Sequence, residues 1–331
     1  MISSNESIVR VEDFTVDYLD RRKWINIANR ISFAIEPGET LGLAGESGCG
    51  KSTMGFSLFG YRRPGSRVRS GRVHFEGLDL LKLSERELRS IRGPKIFMVP
   101  QNPASTLTPS MRVGRQVVET LMNHKIVANR KEAEVKTLQI FEQVGLPRPD
   151  DVVRRYPHEL SGGQQQRVVI AIALACQPKL VVMDEPTTAL DVTTQARILR
   201  LLDSLKVDYG MSVLFITHNL GVLAQICDRV AVMYAGEMAE VAPTAELFKN
   251  PRHPYTRGLI AAVPQLNRRI DGKEKLKGLL RRGELPNGCR FAPRCRYSDP
   301  KCFSESQTLT AVGQDHQAAC WRWQHVKEAT R

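Results

Sequence analysis

The octapeptide Gly45-Glu46-Ser47-Gly48-Cys49-Gly50-Lys51-Ser52 falls between an apolar run, Thr40-Leu41-Gly42-Leu43-Ala44, and a stretch from Ser52 to Gly60 that reads as a helix. Strand, glycine-rich turn and helix together are the context that makes such a segment a phosphate-binding loop. The glycines let successive backbone N–H groups face one anion. Lys51 then reaches the β- and γ-phosphate oxygens, and the Ser52 hydroxyl, with Thr53 behind it, is placed for magnesium. Few folds accommodate this geometry, so the loop constrains the chain more than any other feature.

The strands that follow extend the frame. Lys179-Leu180-Val181-Val182-Met183-Asp184-Glu185 is an unbroken apolar run with two carboxylates at its tip, and Ser212 to Thr217 and Arg229 to Tyr234 repeat the pattern with helices between them. Such runs fit a parallel sheet covered on both faces, with ligands at the carboxyl ends of its strands. Before this core, residues 8 to 45 and 61 to 80 read as short antiparallel strands. Ser84 to Ile91 reads as a helix capped by Ser84 with Glu87 three positions on. Between Asn102 and Tyr156 the apolar spacing turns helical, with Leu138, Phe141 and Val144 predicted on one face, which marks a helical insertion. The expected organisation is a nucleotide-binding domain over 1–245, its helical part at about 102–160, and an extension over 246–331.

Composition narrows the setting. The 331 residues carry a formal charge of +13, which suits an acidic partner without choosing between nucleotide, nucleic acid and an anionic membrane surface. The acidic, polar start lacks a secretory pattern, and the apolar runs are far shorter than the roughly 18 residues that span a bilayer. A soluble cytosolic chain is expected, with its seven cysteines in a reducing compartment.

The carboxylates suggest chemistry. Asp184 is placed to hold magnesium through water, and Glu185 to orient an attacking water and accept its proton. Gln101, after the strand Ile96-Phe97-Met98-Val99, is placed to touch the metal or the water and to link the core to the helical insertion. His218 follows an apolar strand and reads either as a buried, satisfied histidine or as a γ-phosphate sensor. Tyr18 reads as an adenine-stacking ring or as core. A second glycine-rich segment, Leu160-Ser161-Gly162-Gly163-Gln164, offers another phosphate contact about a hundred residues after the first. The two do not easily serve one nucleotide within one subunit, so two copies closing around ATP are expected.

The ordered set Gly45 to Ser52, Gln101, Leu160 to Gln164, Leu180 to Glu185, Ala189-Leu190-Asp191 and His218 resembles the ATP-binding cassette ATPases over residues 8 to about 245. The resemblance implies a P-loop NTPase fold with a RecA-like parallel core, an antiparallel β subdomain and a helical insertion. It implies that Ser161, Gly162, Gly163 and Gln164 contact ATP held by the opposing subunit, with Asp191 at the same seam. Gln101-Asn102-Pro103-Ala104-Ser105, Asn250 to Thr256 and the cysteine-containing tail are similar to the ATPase subunits of oligopeptide, dipeptide and nickel importers. One departure is Pro100, where those relatives more often carry an aromatic; it holds Val99 extended and lacks an N–H.

The importer resemblance implies a second ATPase subunit, paralogous or identical, two membrane permease subunits and an extracytoplasmic solute-binding protein, with this chain peripheral on the cytoplasmic face of the cell inner membrane. It implies uptake of a peptide-like solute, with nickel or another metal chelate as the alternative cargo. A soluble cassette ATPase acting on nucleic acid or ribosomes fits less well, since such chains generally fuse two cassettes, and no nucleic-acid partner is expected. An ATP-binding redox regulator without turnover would call for a replacement at Glu185.

The tail holds Cys289, Cys295, Cys302 and Cys320 in a region too poor in apolar residues to build a core, so a metal centre is expected to fold it. Four cysteines suit zinc or an iron–sulfur cluster. The spacing lacks the paired knuckles usual for zinc, and the resemblance implies [4Fe–4S], with Zn2+ or unligated thiols as alternatives. Arg290, Arg294 and Arg296 are expected either to offset thiolate charge or to form a solvated face. Cys176 and Cys227 read as packed thiols, and Cys49 as a donor of its backbone N–H.

Overall fold

The computed structural model describes residues 7–188, 190–263 and 285–328. Ala189 and residues 264–284 lie outside them. Along the chain come β1 (Val9–Asp20), β2 (Lys23–Ile35), β3 (Thr40–Ala44), α1 (Lys51–Ser57), β4 (Ser66–Phe75), β5 (Leu78–Asp79), α2 (Glu85–Ile91) and β6 (Ile96–Val99). Five helices follow: α3 (Pro103–Thr106), α4 (Val113–Asn123), α5 (Arg130–Gln143), α6 (Pro149–Val152) and α7 (Gly162–Ala175). Then strands and helices alternate: β7 (Leu180–Asp184), α8 (Val192–Tyr209), β8 (Ser212–Ile216), α9 (Leu220–Ile226), β9 (Arg229–Tyr234) and β10 (Glu237–Pro243). The chain closes with α10 (Thr244–Lys249), α11 (Pro254–Ala261), α12 (Pro300–Ser304), β11 (Thr310–Gly313), β12 (His316–Ala318) and α13 (Trp323–Glu328).

The chain divides into two compact units, one of residues 1–35, 40–81 and 215–331, the other of 36–39 and 82–214. In the first, β1 pairs antiparallel with β2 (Val9 opposite Ile35) and with β4 (Val9 opposite Phe75). Its second layer runs β11-β12-β10-β9-β3, with β3 parallel to β9 and Leu41 opposite Arg229. All five residues of β3 are buried, as expected of a strand covered on both faces.

In the second unit β6 lies parallel to β7, Ile96 opposite Leu180, and β7 is buried throughout. The expected cap of α2 is present as a capping box between Ser84 and Glu87. Helix α8 starts at Asp191, whose carboxylate accepts the Thr193 and Thr194 N–H groups, and ends at Gly210 with φ +59°. On α5 the buried face is Ala133, Thr137, Ile140 and Phe141. Leu138 is only partly covered and lines an open cleft of about 670 Å³ with Arg112, Arg115, Arg130, Arg154 and Tyr156.

The tail corrects one expectation. Its core comes from docking rather than from its own composition: β12 pairs with β10, Glu240 opposite Ala318, and Phe291, Ala292, Ala318 and Val326 are buried. At the seam Glu240, fully buried, accepts the N–H groups of Arg252 at 2.6 Å and His253 at 2.9 Å and pairs with His316 Nε2 at 2.7 Å. His253 Nδ1 accepts the Tyr255 N–H at 3.1 Å, capping α11, and burial lowers this imidazole to about 4, against the opposing pull of Glu240. Glu240→Leu is expected to reduce stability by about 2–4 kcal/mol, because two buried amides lose their acceptor. Thermal melting checks this, and an unchanged transition would show that the seam contributes little.

Candidate functional site

The phosphate loop belongs to the first unit. Gly45 and Gly50 adopt φ of +150° and +108°, and a Cβ at Gly45 would stand 2.3 Å from the Met233 carbonyl oxygen. No larger residue fits there without moving backbone. Lys51, 6% exposed, donates to the carbonyls of Gly45 at 2.8 Å and Glu46 at 3.1 Å, and the Cys49 N–H donates to Glu46 O at 3.2 Å. The Cys49 side chain is buried, with Sγ 2.7 Å from where a Gly45 Cβ would stand, so it packs under the loop in addition to lending its backbone. Ser47, Gly48 and Ser52 are exposed at the mouth. The Tyr18 hydroxyl lies 3.0 Å from Thr53 Oγ1, which ties the first hairpin to α1. His218 follows β8 and is exposed, against the buried alternative, beside the α9 cap Asn219.

The carboxylates belong to the second unit. Asp184 ends β7 at 8% exposure. Glu185 follows with φ +48°, a conformation that costs a non-glycine residue energy and is held by its surroundings. Its Oε2 accepts from Gln101 Nε2 at 3.3 Å and from Thr188 Oγ1 at 2.8 Å. Gln101 and Glu185, 84 positions apart in sequence, therefore meet, a contact that the strand-tip reading did not name. Thr188 escaped that reading, although its position three residues after Glu185 was the available signal.

Ser161 caps α7 through a capping box with Gln164, whose Oε1 accepts the Ser161 N–H at 3.0 Å. Ser161 and Gly162 are exposed, and among the described residues nothing beyond its chain neighbours and its own helix backbone comes within 4 Å of a Cβ built at Gly162. The Asp191 carboxyl is held below its ordinary value by hydrogen bonds from Thr193 first and Thr194 next, so it is ionised at neutral pH.

Cys289, Cys295, Cys302 and Cys320 line one cavity with Phe291, Tyr297 and Arg322. Burial is the first cause raising each thiol, Cys295 to about 11 and Cys320 to about 12, with smaller contributions from neighbouring cysteines at Cys289, Cys295 and Cys320 and from Asp299 at Cys302. Among the described residues, however, no three His, Cys, Asp or Glu side chains are gathered closely enough to hold a metal ion. Cys176 and Cys227 are buried, as expected of packed thiols, and burial raises Cys176 to about 11.

Of the tail arginines, Arg290 and Arg294 do neither of the things expected of them, while Arg296 is exposed, as a solvated face would have it. Arg290 pairs with Glu237 at 3.0 Å and donates to Asn26 Oδ1 and the Ala235 carbonyl. Arg294 forms a two-pronged pair with Glu46, both contacts at 2.9 Å. Arg296 lies over the Tyr297 ring at 5.0 Å. Tyr255 accepts the Glu46 N–H at 2.9 Å. Neither contact to Glu46 has a sequence signal, since the partners lie 248 and 209 positions away.

A family model described as ABC transporter matches residues 28–188, and one described as Oligopeptide/dipeptide transporter, C-terminal region, matches residues 239–302. Dipeptide transport ATP-binding protein DppD of Bacillus subtilis (strain 168) is 41% identical over 320 residues, covering 96% of this chain and 95% of that protein. The "Probable peptide ABC transporter ATP-binding protein y4tR" of Sinorhizobium fredii (strain NBRC 101917 / NGR234) is 42% identical over 322 residues, 96% of each chain. Among solved structures, the dimeric post-hydrolysis state of the ATP-binding cassette MJ0796 with ADP and Pi is similar at TM-score 0.65 and 29% identity, over 71% of this chain and 98% of that one. The cbiO1 component of the cbiONQ transporter complex of Clostridium perfringens is similar at 0.63 and 26%, over 73% and 91%.

Proposed function

This chain belongs to the ATP-binding cassette family of transporter ATPases, and from that premise we propose that it powers import of a peptide-like solute of oligopeptide or dipeptide size. The observation that carries the reading is the tail: the segment similar to oligopeptide/dipeptide transporters runs from within β10 to residue 302, and the likeness to DppD spans cassette and tail together.

The residue roles are those that membership of the family implies. The Gly45–Ser52 backbone and Lys51 cradle the β- and γ-phosphates, and Tyr18 stands for the adenine. Ser52, Asp184 and Gln101 would hold magnesium, whose part is to neutralise charge on the phosphates. Glu185 orients the attacking water and takes its proton, with Gln101 and Thr188 fixing the carboxylate. His218, exposed after β8, completes the γ-phosphate contacts. Ser161, Gly162, Gly163 and Gln164 act on ATP held by a second ATPase subunit, with Asp191 at the same seam. The exposed start of α7 supports this arrangement, as does the dimeric form described for the similar cassette MJ0796.

The partners are a second ATPase subunit, two permease subunits and a solute-binding protein, with this chain at the cytoplasmic face of the inner membrane. Among the described residues no helix is long and apolar enough to cross a membrane. The cleft in the helical insertion, lined by Arg112, Arg115, Arg130 and Arg154 together with Glu134 and Asp150, offers a recess for a permease segment. Reconstitution with the permease and solute-binding components tests the reading through ATP-dependent uptake of labelled peptides. Uptake restricted to nickel chelates would transfer the assignment to metal import.

For the tail, four thiols around one cavity support a [4Fe–4S] centre in donor chemistry, although their side chains must close together to ligate it. Such a centre would cross-link the docked tail. Protein purified without oxygen is expected to be brown, with about four iron per chain. Colourless protein with one zinc per chain would favour the zinc alternative.

A further inference from the structure

Every polar group of Glu46 is held. Its carbonyl accepts from Lys51 and Cys49, its N–H is bound by the Tyr255 hydroxyl, and its carboxylate is clasped by Arg294. Two of these partners come from the C-terminal part of the chain, and both are buried: Tyr255 is fully covered, and the Arg294 side chain is 5% exposed. They are themselves fixed. Arg294 donates to the Tyr234 hydroxyl at 3.2 Å and lies over the Tyr234 and Phe291 rings at 5.5 and 5.8 Å. The rings of Tyr234, Tyr255 and Phe291 pack on one another with centroids 4.6 to 5.5 Å apart.

The charge at this position sets the problem. A carboxylate in the loop that cradles a polyphosphate repels the ligand at short range, in surroundings of reduced dielectric. A planar guanidinium answers it by occupying both carboxylate oxygens at once, which neutralises the charge and fixes its direction. The loop itself contains no arginine, and its one cation, Lys51, faces the Gly45 and Glu46 carbonyls and the phosphate site.

We propose that Arg294 and Tyr255 are positioning residues for the phosphate loop, so that the C-terminal extension sets the affinity of this chain for nucleoside triphosphate. Arg294 masks the Glu46 carboxylate, and Tyr255 anchors the Glu46 backbone. The inference rests on reading Gly45–Ser52 as the phosphate site. It makes the cysteine-bearing tail part of the nucleotide apparatus: the loop Cys289–Cys295 carries the arginine that completes it.

The test is titration of the full chain with a non-hydrolysable ATP analogue and magnesium, alongside steady-state hydrolysis. Arg294→Met is expected to weaken binding about tenfold and raise KM in parallel, with kcat at saturating ATP nearly unchanged because Glu185 is untouched. Adding Glu46→Gln to Arg294→Met should recover most of the loss, since the unmasked carboxylate is then gone, and Arg294→Lys should recover part. Tyr255→Phe should weaken binding by a smaller factor. Wild-type affinity in Arg294→Met overturns the proposal, as does a loss that Glu46→Gln fails to relieve, the result expected if the arginine served only to fold the tail. Failure of the underlying loop reading is separately visible, because Lys51→Ala would then bind the analogue as tightly as the wild-type chain does.

Discussion

Glu185→Gln is expected to slow ATP hydrolysis by roughly 10² to 10⁴ while leaving ATP binding intact. The side chain stands at the carboxyl end of a fully buried strand, on a backbone with φ +48°, and its Oε2 accepts from Gln101 and Thr188. Glutamine keeps the length and one accepting oxygen, so the packing survives. It cannot take a proton from water. With hydrolysis blocked and binding preserved, the ATP-loaded pair of subunits should persist, and size-exclusion chromatography with and without ATP would show the dimer. Unchanged turnover would remove Glu185 from the mechanism. A slow variant that stays monomeric with ATP would keep the carboxylate and reject closure of two subunits.

Lys51→Ala is expected to weaken ATP binding itself, by about a hundredfold. The ammonium is buried and donates to two carbonyls of the loop, so it both supplies positive charge to the phosphates and draws Gly45 and Glu46 into the turn. Alanine removes both functions. Calorimetric titration with ATP and magnesium measures the loss directly, and wild-type affinity would contradict the cradle. The two variants separate the halves of the reaction, one binding without turnover and the other failing at binding.

The local parts of this fold were legible because their physics is local. Ser84 and Glu87 announce a helix start by satisfying each other's backbone groups, and the structure contains that box. Ser161 and Gln164 repeat it at the start of α7. The runs at Thr40 to Ala44 and Leu180 to Asp184 are continuous in apolar character because both faces of those strands are covered. Leu138 shows where this reasoning stops. Its spacing put it on the apolar face of α5, but it opens into the cleft beside Arg112 and Arg154, because neighbouring helices decide which part of an apolar stripe is covered.

From residue order alone came the phosphate loop, the carboxylates at a strand tip, the glycine-rich helix start and the family they resemble, since each is written within a few consecutive positions. Folding in three dimensions decided how the tail finds its core, on β10 and beside Tyr255, and that Arg294 turns toward Glu46 rather than toward thiolates or solvent. Pairings between groups more than two hundred positions apart leave no periodicity to read. They exist only once packed surfaces bring a buried charge to a partner able to neutralise it.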